Sequence, residues 1–290
     1  MKQAAILIAC YNRRAMTLRV LESLTLSFPL IADTQFKVFL LDDASTDGTA
    51  AAVRELFPSV HVVEGTGSLY WNRGMCAAYE AAKTEGKWDT YVLLNDDLDM
   101  EPQSFASVYD CYTRENATKS TIMIGSVVTP EGELLYGGFR RKSRYRPLQL
   151  DLITPDPLHA LEIDTMNGNL VIVPGKNFDK LGGLDPAYHH NYGDIDLGYN
   201  AKTKDTRILL APGVVGVTLR NPSPVAEITG KPLFARLKHL FGQPNGISQY
   251  AWFMWNHAPR VLWPGIVGRE IARRLWLIFT PLLNAINTNK

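Results

Sequence analysis

The sequence predicts an α/β fold, a mostly parallel sheet flanked by helices, with a helical extension at its C-terminal end. Apolar runs of strand length alternate with segments whose apolar residues recur at helical spacing, in the order β-α-β-α-β-α-β-α. Polar clusters follow three of the runs, at Tyr11-Asn12, Asp42-Asp43 and Asn95-Asp96-Asp97. Charge is divided as well. The whole chain carries a formal +1, but residues 224–290 hold eight Lys/Arg against two acids, so an acidic body adjoins a basic segment. Trp252, Trp255, Trp263 and Trp276, four of the six Trp, lie in that segment.

Ala4–Ala9 is uniformly apolar, as a strand covered on both faces requires. Leu18, Leu21, Leu24 and Phe28 then mark a helix that Pro29 stops. Lys37–Leu41 is a second strand, and Asp47 or Thr49 caps a helix carrying Val53, Leu56 and Phe57 up to Pro58. Val60–Val63 is a third strand, and Arg73–Lys83 an Ala-rich helix. Thr90–Leu94 is a fourth strand, and Pro102 suits the first turn of the helix after it. Leu170–Val173 is a later apolar strand behind Asn167-Gly168-Asn169, where Gly168 permits close backbone approach.

Length and composition narrow the class. At 290 residues, with 46% apolar and 20% charged, the chain is globular and long enough for about two domains. The near-zero net charge singles out no nucleic-acid partner. Cys10, Cys76 and Cys111 are too scattered for a disulfide framework or a zinc site, which points to a reducing, cytoplasmic compartment. No uncharged apolar run reaches the roughly 18 residues of a membrane span. Gly65-Thr-Gly67 starts like a dinucleotide fingerprint, but Tyr70 stands in the third glycine position. There is no Walker A loop, no His-Glu-x-x-His and no Gly-x-Ser-x-Gly.

In a parallel sheet the three polar clusters share one edge, where open α/β folds bind ligands. Asp42, Asp43, Asp96 and Asp97 repel one another there unless a cation or a donor-rich ligand joins them. Hard oxygen ligands suit Mg²⁺ or Mn²⁺, and the combination fits a diphosphate leaving group held by a divalent ion.

Six segments then carry a family resemblance: Ile8-Ala-Cys-Tyr-Asn-Arg13, Leu41-Asp-Asp-Ala-Ser-Thr-Asp-Gly-Thr49, Trp71-Asn-Arg-Gly74, Leu93-Leu-Asn-Asp-Asp97, Phe178-Asp-Lys-Leu-Gly-Gly-Leu-Asp185 and Tyr192-Gly-Asp-Ile-Asp-Leu197. In content, order and spacing they resemble the inverting GT-A glycosyltransferases of family 2, over about residues 4–222. The resemblance implies a Rossmann-like GT-A body that transfers a sugar from a UDP- or dTDP-linked donor to a glycan or lipid-linked acceptor, in the manner of bacterial O-antigen and other surface-polysaccharide enzymes. It implies that Ala9, Tyr11 and Asn12 line the nucleotide pocket and that Asp43, with Asp42 beside it, binds a pyrimidine base. Arg73 would lie near base and diphosphate. Asn95-Asp96-Asp97 matches the metal motif, with Asp97 as the direct ligand of Mg²⁺ or Mn²⁺ and Asp96 at the ribose or sugar. Asp194 would be the general base, with Asp196 supporting the first helical turn.

Two departures stand out. The family often has an acid before the base, where this chain has Gly193. It often has a metal-binding His about six residues after a proline; counted from Pro212 that place is Thr218, with His189 and His190 as conceivable substitutes. The basic stretch Tyr136–Arg146, with Arg140, Arg141, Lys142, Arg144 and Arg146, is expected to be either a loop over the diphosphate site or the solvated tip of a hairpin. The expected organisation is a catalytic domain over 1–222, with a nucleotide half to about 100 and an acceptor half beyond, and a basic, Trp-rich tail over 223–290. Stripes at 231–241 and 265–279 set Leu, Phe and Trp beside Arg and Lys, a pattern suited to an anionic membrane surface, to the body, or to a second subunit in a homodimer. A peripheral position on the inner face of the plasma membrane is the expectation. The rival readings are a sugar nucleotidyltransferase, for which Ala9–Arg14 lacks the glycines, and a degenerate binding subunit, against which Asp97 and Asp194 both argue.

Overall fold

The computed structural model describes residues 1–203, 206–220, 231–242, 244 and 246–287. The first strands are β1 (Lys2–Cys10), β2 (Thr34–Asp42), β3 (His61–Glu64) and β4 (Thr90–Asn95). Helices α1 (Arg14–Ser27), α2 (Thr49–Leu56) and α3 (Tyr70–Glu85) alternate with them, and α4 (Pro102–Thr118) follows. The next strands are β5 (Thr121–Ile124), β6 (Val127–Val128), β7 (Leu134–Tyr136), β8 (Gly138–Arg141) and β9 (Leu150–Leu152). Then come β10 (Leu161–Glu162), β11 (Thr165–Met166) and β12 (Leu170–Pro174). Helices α5 (Gly175–Leu181) and α6 (Gly193–Lys202), with strands β13 (Arg207–Leu210) and β14 (Gly216–Val217), complete the body.

Eight strands form the central sheet, in the order β10-β13-β5-β12-β4-β1-β2-β3. The β3-β2-β1-β4 half is parallel throughout. Strand β12 runs antiparallel between β4 and β5, which closes the nucleotide-side half and starts the second. The register sets Cys10 opposite Asp42 and Ala9 opposite Asn95, so three strands end level at one edge. Both faces of β1 are covered: Ile6 and Ile8 pack with Leu21, Leu24 and Phe105, and Ala5 and Leu7 pack with Met75, Ala78 and Ala82. This double burial is why the run contains no polar residue.

The second half differs from the expectation in detail. Between residues 127 and 166 only β10 joins the central sheet; the other strands form two small sheets, β14-β6-β7, completed by the later β14, and β11-β8-β9. The basic stretch 136–146 takes the hairpin form of the two expected: β8 and β9 pair antiparallel around its turn, and none of its basic residues lines the cleft at the sheet edge. Its Arg141 donates to the carbonyls of Ser143, Arg144 and His257 and lies 5.0 Å from the Tyr199 ring.

The C-terminal segment packs on the body. Its helices are Leu233–Phe241, Ile247–His257 and Trp263–Asn287. Phe253 and Met254 are buried with Tyr188 and Tyr199 of the body, and Tyr192 and Ile195 pack against the same cluster. His257 Nε2 lies 2.6 Å from Asp196 Oδ1, with both side chains almost wholly buried. The first and third tail helices meet through Leu240 and Ile278. Here the structure corrects the surface reading of two charges. Arg236 and Arg274 are buried in this seam, where Arg236 donates to the Ile278 carbonyl at 3.2 Å and Arg274 donates to the Leu240 carbonyl and to Glu270. Carbonyls in the last turn of a helix, such as that of Leu240, attract cations, which an amphipathic pattern does not reveal. Among the described residues, no helix is long and apolar enough to cross a membrane. The expected boundary at 222/223 lies outside the described residues.

Because Phe253 is fully buried at the docking face, Phe253→Ala should cost about 3–5 kcal/mol. Urea unfolding followed at the body should register that loss. An unchanged body transition would mean that the tail contributes nothing to the body's stability.

Candidate active site

The level ends of β1, β2 and β4 open into a cleft of about 490 Å³. Of the residues singled out from sequence, Ala9, Tyr11, Asp43, Asn95, Asp96, Asp97 and Asp194 line it. Asn12, Asp42 and Arg73 stand behind or beside it. Asn12 holds a left-handed backbone (φ 51°), and its Oδ1 accepts the Thr46 N–H at 2.8 Å. Asp42 Oδ1 accepts the Ser45 N–H at 3.0 Å. Arg73 donates from Nε to the Pro186 carbonyl at 2.9 Å.

Four carboxylates at one edge are accommodated in two ways. Asp43 is neutralised by backbone. Its Oδ1 accepts from Gly67 N at 2.7 Å, and its Oδ2 from Leu69 N at 2.9 Å and Tyr70 N at 3.1 Å. These amides lead into α3, so the carboxylate also fixes where that helix starts. Asp96 and Asp97 are bridged by Arg13, whose Nη1 lies 3.0 Å from Asp96 Oδ1 and 2.7 Å from Asp97 Oδ2. Burial lifts Asp96 to about 6 against the opposing pull of Arg13. Asp96 Oδ2 and Asp97 Oδ1 are buried without a hydrogen-bond partner. Buried, partnerless carboxylate oxygens are costly, and a bound cation is the ordinary remedy. The residues present therefore fit a divalent ion at Asp97. Asp99, two residues beyond Asp97, pairs with Arg19 at 3.0 Å.

Asn95, the first member of the motif, engages both ends of its amide. It accepts from Trp71 Nε1 at 2.7 Å and donates to Asn169 Oδ1 at 2.9 Å. This chain fixes the Trp71 ring against Gly168, where an added Cβ would lie 2.5 Å from the ring. Gly168 N in turn donates to Asp194 Oδ2 at 2.9 Å. Asp194 Oδ1 accepts from Ile195 N at 2.8 Å, and the Asn167 side chain adds a further hydrogen bond. Burial nevertheless wins and raises Asp194 above the usual carboxylate range, which strengthens it as a base near neutral pH. Asp196, two residues on, turns the other way and takes Tyr188 Oη, Asn200 Nδ2 and His257 Nε2.

The two departures acquire physical reasons. A Cβ on Gly193 would lie 1.7 Å from Asn72 Oδ1. Asn72 Nδ2 donates to the carbonyls of Asp185 and Tyr188, both at 2.9 Å, pinning the loop before α6 to α3. An acid at 193 and this clamp exclude each other. Thr218 is buried outside the cleft lining, its N–H donating to Val128 O at 3.0 Å. His190 lines the cleft. His189 does not; burial and Arg73 pull its ring below the usual imidazole range. Among the described residues no three His, Cys, Asp or Glu side chains gather as a metal cluster.

Sequence reasoning gave no role to Arg13, to Trp71 as a wall, or to His257. Arg13 sits in an Arg13-Arg14 pair after a strand, and spacing does not say which turns inward.

The family model Glycosyl transferase family 2 matches residues 5–160, more than half of the chain. The chain belongs to glycosyltransferase family 2. It is a glycosyltransferase, and its body is the GT-A fold. A solved structure of GalNAc-T7 with UDP, GalNAc and Mn²⁺ superimposes with a TM-score of 0.53 at 12% identity, covering 94% of this chain and 58% of that one. The mannosyltransferase PcManGT from Pyrobaculum calidifontis, in complex with GDP-Man and Mn²⁺, gives 0.48 at 17% identity, covering 99% and 75%. No curated protein matches the sequence significantly.

Gly193→Ala should lower the unfolding free energy by about 1–3 kcal/mol through overpacking on Asn72. Combined with Asn72→Ala, which removes the clashing amide, the pair should cost less than the two single changes added together. Strict additivity in denaturant titrations would show that Asn72 is not what excludes a side chain at 193.

Proposed function

We propose that this glycosyltransferase uses a UDP- or dTDP-sugar and, with inversion, glycosylates a hydroxyl of a glycan or lipid-linked acceptor in bacterial surface-polysaccharide synthesis. The observation that carries the catalytic part is the cleft itself. Its walls hold Asp97, with a partnerless buried oxygen, and Asp194, a carboxylate raised by burial.

Asp43 favours a pyrimidine base. A carboxylate offers about four acceptor sites, and three are taken by backbone amides. One site remains on Oδ1, which matches the single N3–H of uracil or thymine; cytosine lacks that hydrogen, and guanine presents two donors side by side. Ala9 and Tyr11 form the adjoining wall, with Asn12 and Asp42 fixing the 42–46 turn and Asn95 fixing the Trp71 wall. Asp97 would hold Mg²⁺ or Mn²⁺, which supplies charge neutralisation to the departing diphosphate. Arg13 then exchanges its carboxylate partners for diphosphate oxygens, with Asp96 facing the ribose or sugar and Arg73 beside the loop over that end. Asp194 accepts the proton of the acceptor hydroxyl as its oxygen bonds to the anomeric carbon. The bond from that carbon to the diphosphate oxygen breaks on the opposite face, and the electron pair leaves with the nucleoside diphosphate.

The tail supports a peripheral membrane position. Ile271, Leu275, Trp276 and Phe279 are exposed on one side of the last helix, and Phe234 is 79% exposed on the first tail helix. Lys238, Arg269 and Arg273 are exposed on the same two helices, a combination suited to anionic lipid on the inner face of the plasma membrane. Vesicles rich in phosphatidylglycerol should co-sediment the protein, and Trp276→Ser with Phe279→Ser should weaken this several-fold. Equal binding to neutral vesicles would remove the electrostatic part of the reading.

The deciding experiment is calorimetric titration of UDP, dTDP, GDP and CDP, with and without Mn²⁺, into wild type and Asp97→Ala. One pyrimidine diphosphate should bind with metal and be lost in the variant. Failure of every nucleotide to bind would leave a degenerate binding subunit as the better reading. Asp194→Asn should reduce turnover by about 10²–10⁴-fold with nucleotide affinity unchanged; equal losses of both would make Asp194 structural.

A further inference from the structure

A second cavity, of about 370 Å³, lies between the loop before α6 and the tail helices. Its walls include Tyr192, Tyr250, Glu270, Arg273 and Arg274, and it shares Asn191 and Tyr192 with the catalytic cleft. Tyr192 thus divides the two spaces, two residues before Asp194. It is held in a left-handed conformation (φ 77°) at the start of α6. Such strain in a non-glycine residue persists where surrounding structure enforces it, and here the enforcing structure is the tail: the Tyr192 ring lies tilted against Phe253 at 5.4 Å and edge-on to Tyr250 at 6.4 Å.

We propose that this cavity is an acceptor subsite that binds a neutral, hydroxyl-rich sugar residue next to the one being glycosylated. The inference deepens the transferase reading and rests on it. The volume is that of a small-molecule site. Two tyrosine rings supply apolar surface for the C–H face of a pyranose. The polar groups match its hydroxyl rim. Arg273 has five donors and uses Nε and Nη2 on Glu270, at 2.8 and 2.7 Å, which leaves Nη1 for a ligand. Burial pushes the Tyr192 phenol up to about 12, so it stays a neutral donor and acceptor at working pH.

Charge argues against an anion such as a carrier phosphate. Glu270 stands between the two guanidinium groups, 2.7 Å from Arg273 Nη2 and 2.8 Å from Arg274 Nε. Arg274 is further engaged by the Leu240 carbonyl. A phosphate would therefore meet a carboxylate among the groups it needs, whereas sugar hydroxyls can donate to Glu270 and accept from Arg273. Because the walls come from the tail, the same segment that stabilises the helix of Asp194 also selects what is brought to it.

The test uses the full chain and the methyl glycosides of glucose, galactose, mannose and rhamnose, with inorganic phosphate as the anionic probe. Binding is followed by saturation-transfer NMR, with nucleoside diphosphate and Mn²⁺ affinity measured in parallel. At least one glycoside should bind, and its dissociation constant should rise tenfold or more in Arg273→Ala and in Tyr250→Ala. Nucleotide affinity should be unchanged in both variants, which separates a lost subsite from a misfolded chain. No glycoside binding, equal binding in the variants, or binding of phosphate in place of every glycoside would overturn the subsite. If nucleotides still bind in those cases, the transferase reading stands; if they do not, it fails on its own evidence.

Discussion

Mutual repulsion of carboxylates at the end of a parallel sheet is the constraint around which this molecule is organised. The register that sets Cys10 beside Asp42 and Ala9 beside Asn95 brings four acids to one edge. Each must be compensated at low dielectric. Backbone amides serve Asp42 and Asp43, which ties the 42–46 turn and the start of α3 to the sheet. Arg13 serves Asp96 and Asp97 incompletely, leaving one buried oxygen on each. Full compensation by protein groups would stabilise the free enzyme and remove the attraction for a ligand. The incomplete arrangement leaves carboxylate acceptor capacity at the cleft and one guanidinium shared between two acids.

The Asp194 side of the cleft depends on close approach. Gly168 lets the Trp71 ring and Asp194 lie against one backbone segment, and Gly193 leaves room for Asn72. Through these contacts α3, the strand entry at 167–169 and the start of α6 form one packed unit. The amide of Asn95 links that unit to the metal motif. Asp194 and Asp97 are therefore positioned by shared neighbours, although about 100 residues of chain separate them.

The parallel half was legible from sequence because its strands are buried on both faces, and no other environment tolerates a run such as Ala4–Ala9. The short strands between 127 and 166 were not, since two to four residues contain too little periodicity to identify. Positions that line the cleft were legible where acids follow an apolar strand, as at Asp43 and Asp97, whereas Asp194, in the first turn of α6, stood out only through the family resemblance. The site was illegible where a residue acts by facing inward. Arg13 and Arg14 are chemically equal in the sequence, yet one bridges two carboxylates while the other's N–H meets Asp47. Arg236 and Arg274 look like surface charges on amphipathic helices, and their true partners are carbonyls on another helix.

Asp194 and Asp196 show how the fold gives two identical side chains opposite uses. Spaced by two on a helix, they point to different sides of α6. Asp194 faces the cleft and keeps part of its acceptor capacity open. Asp196 is closed by a tyrosine, an asparagine and His257, the last of which arrives from the tail. The bond to His257 holds α6 from behind, so the orientation of Asp194 is set partly by residues outside the family match, which ends at 160. The tail therefore has two structural effects at once, bracing α6 through His257 and walling the cavity that adjoins the cleft.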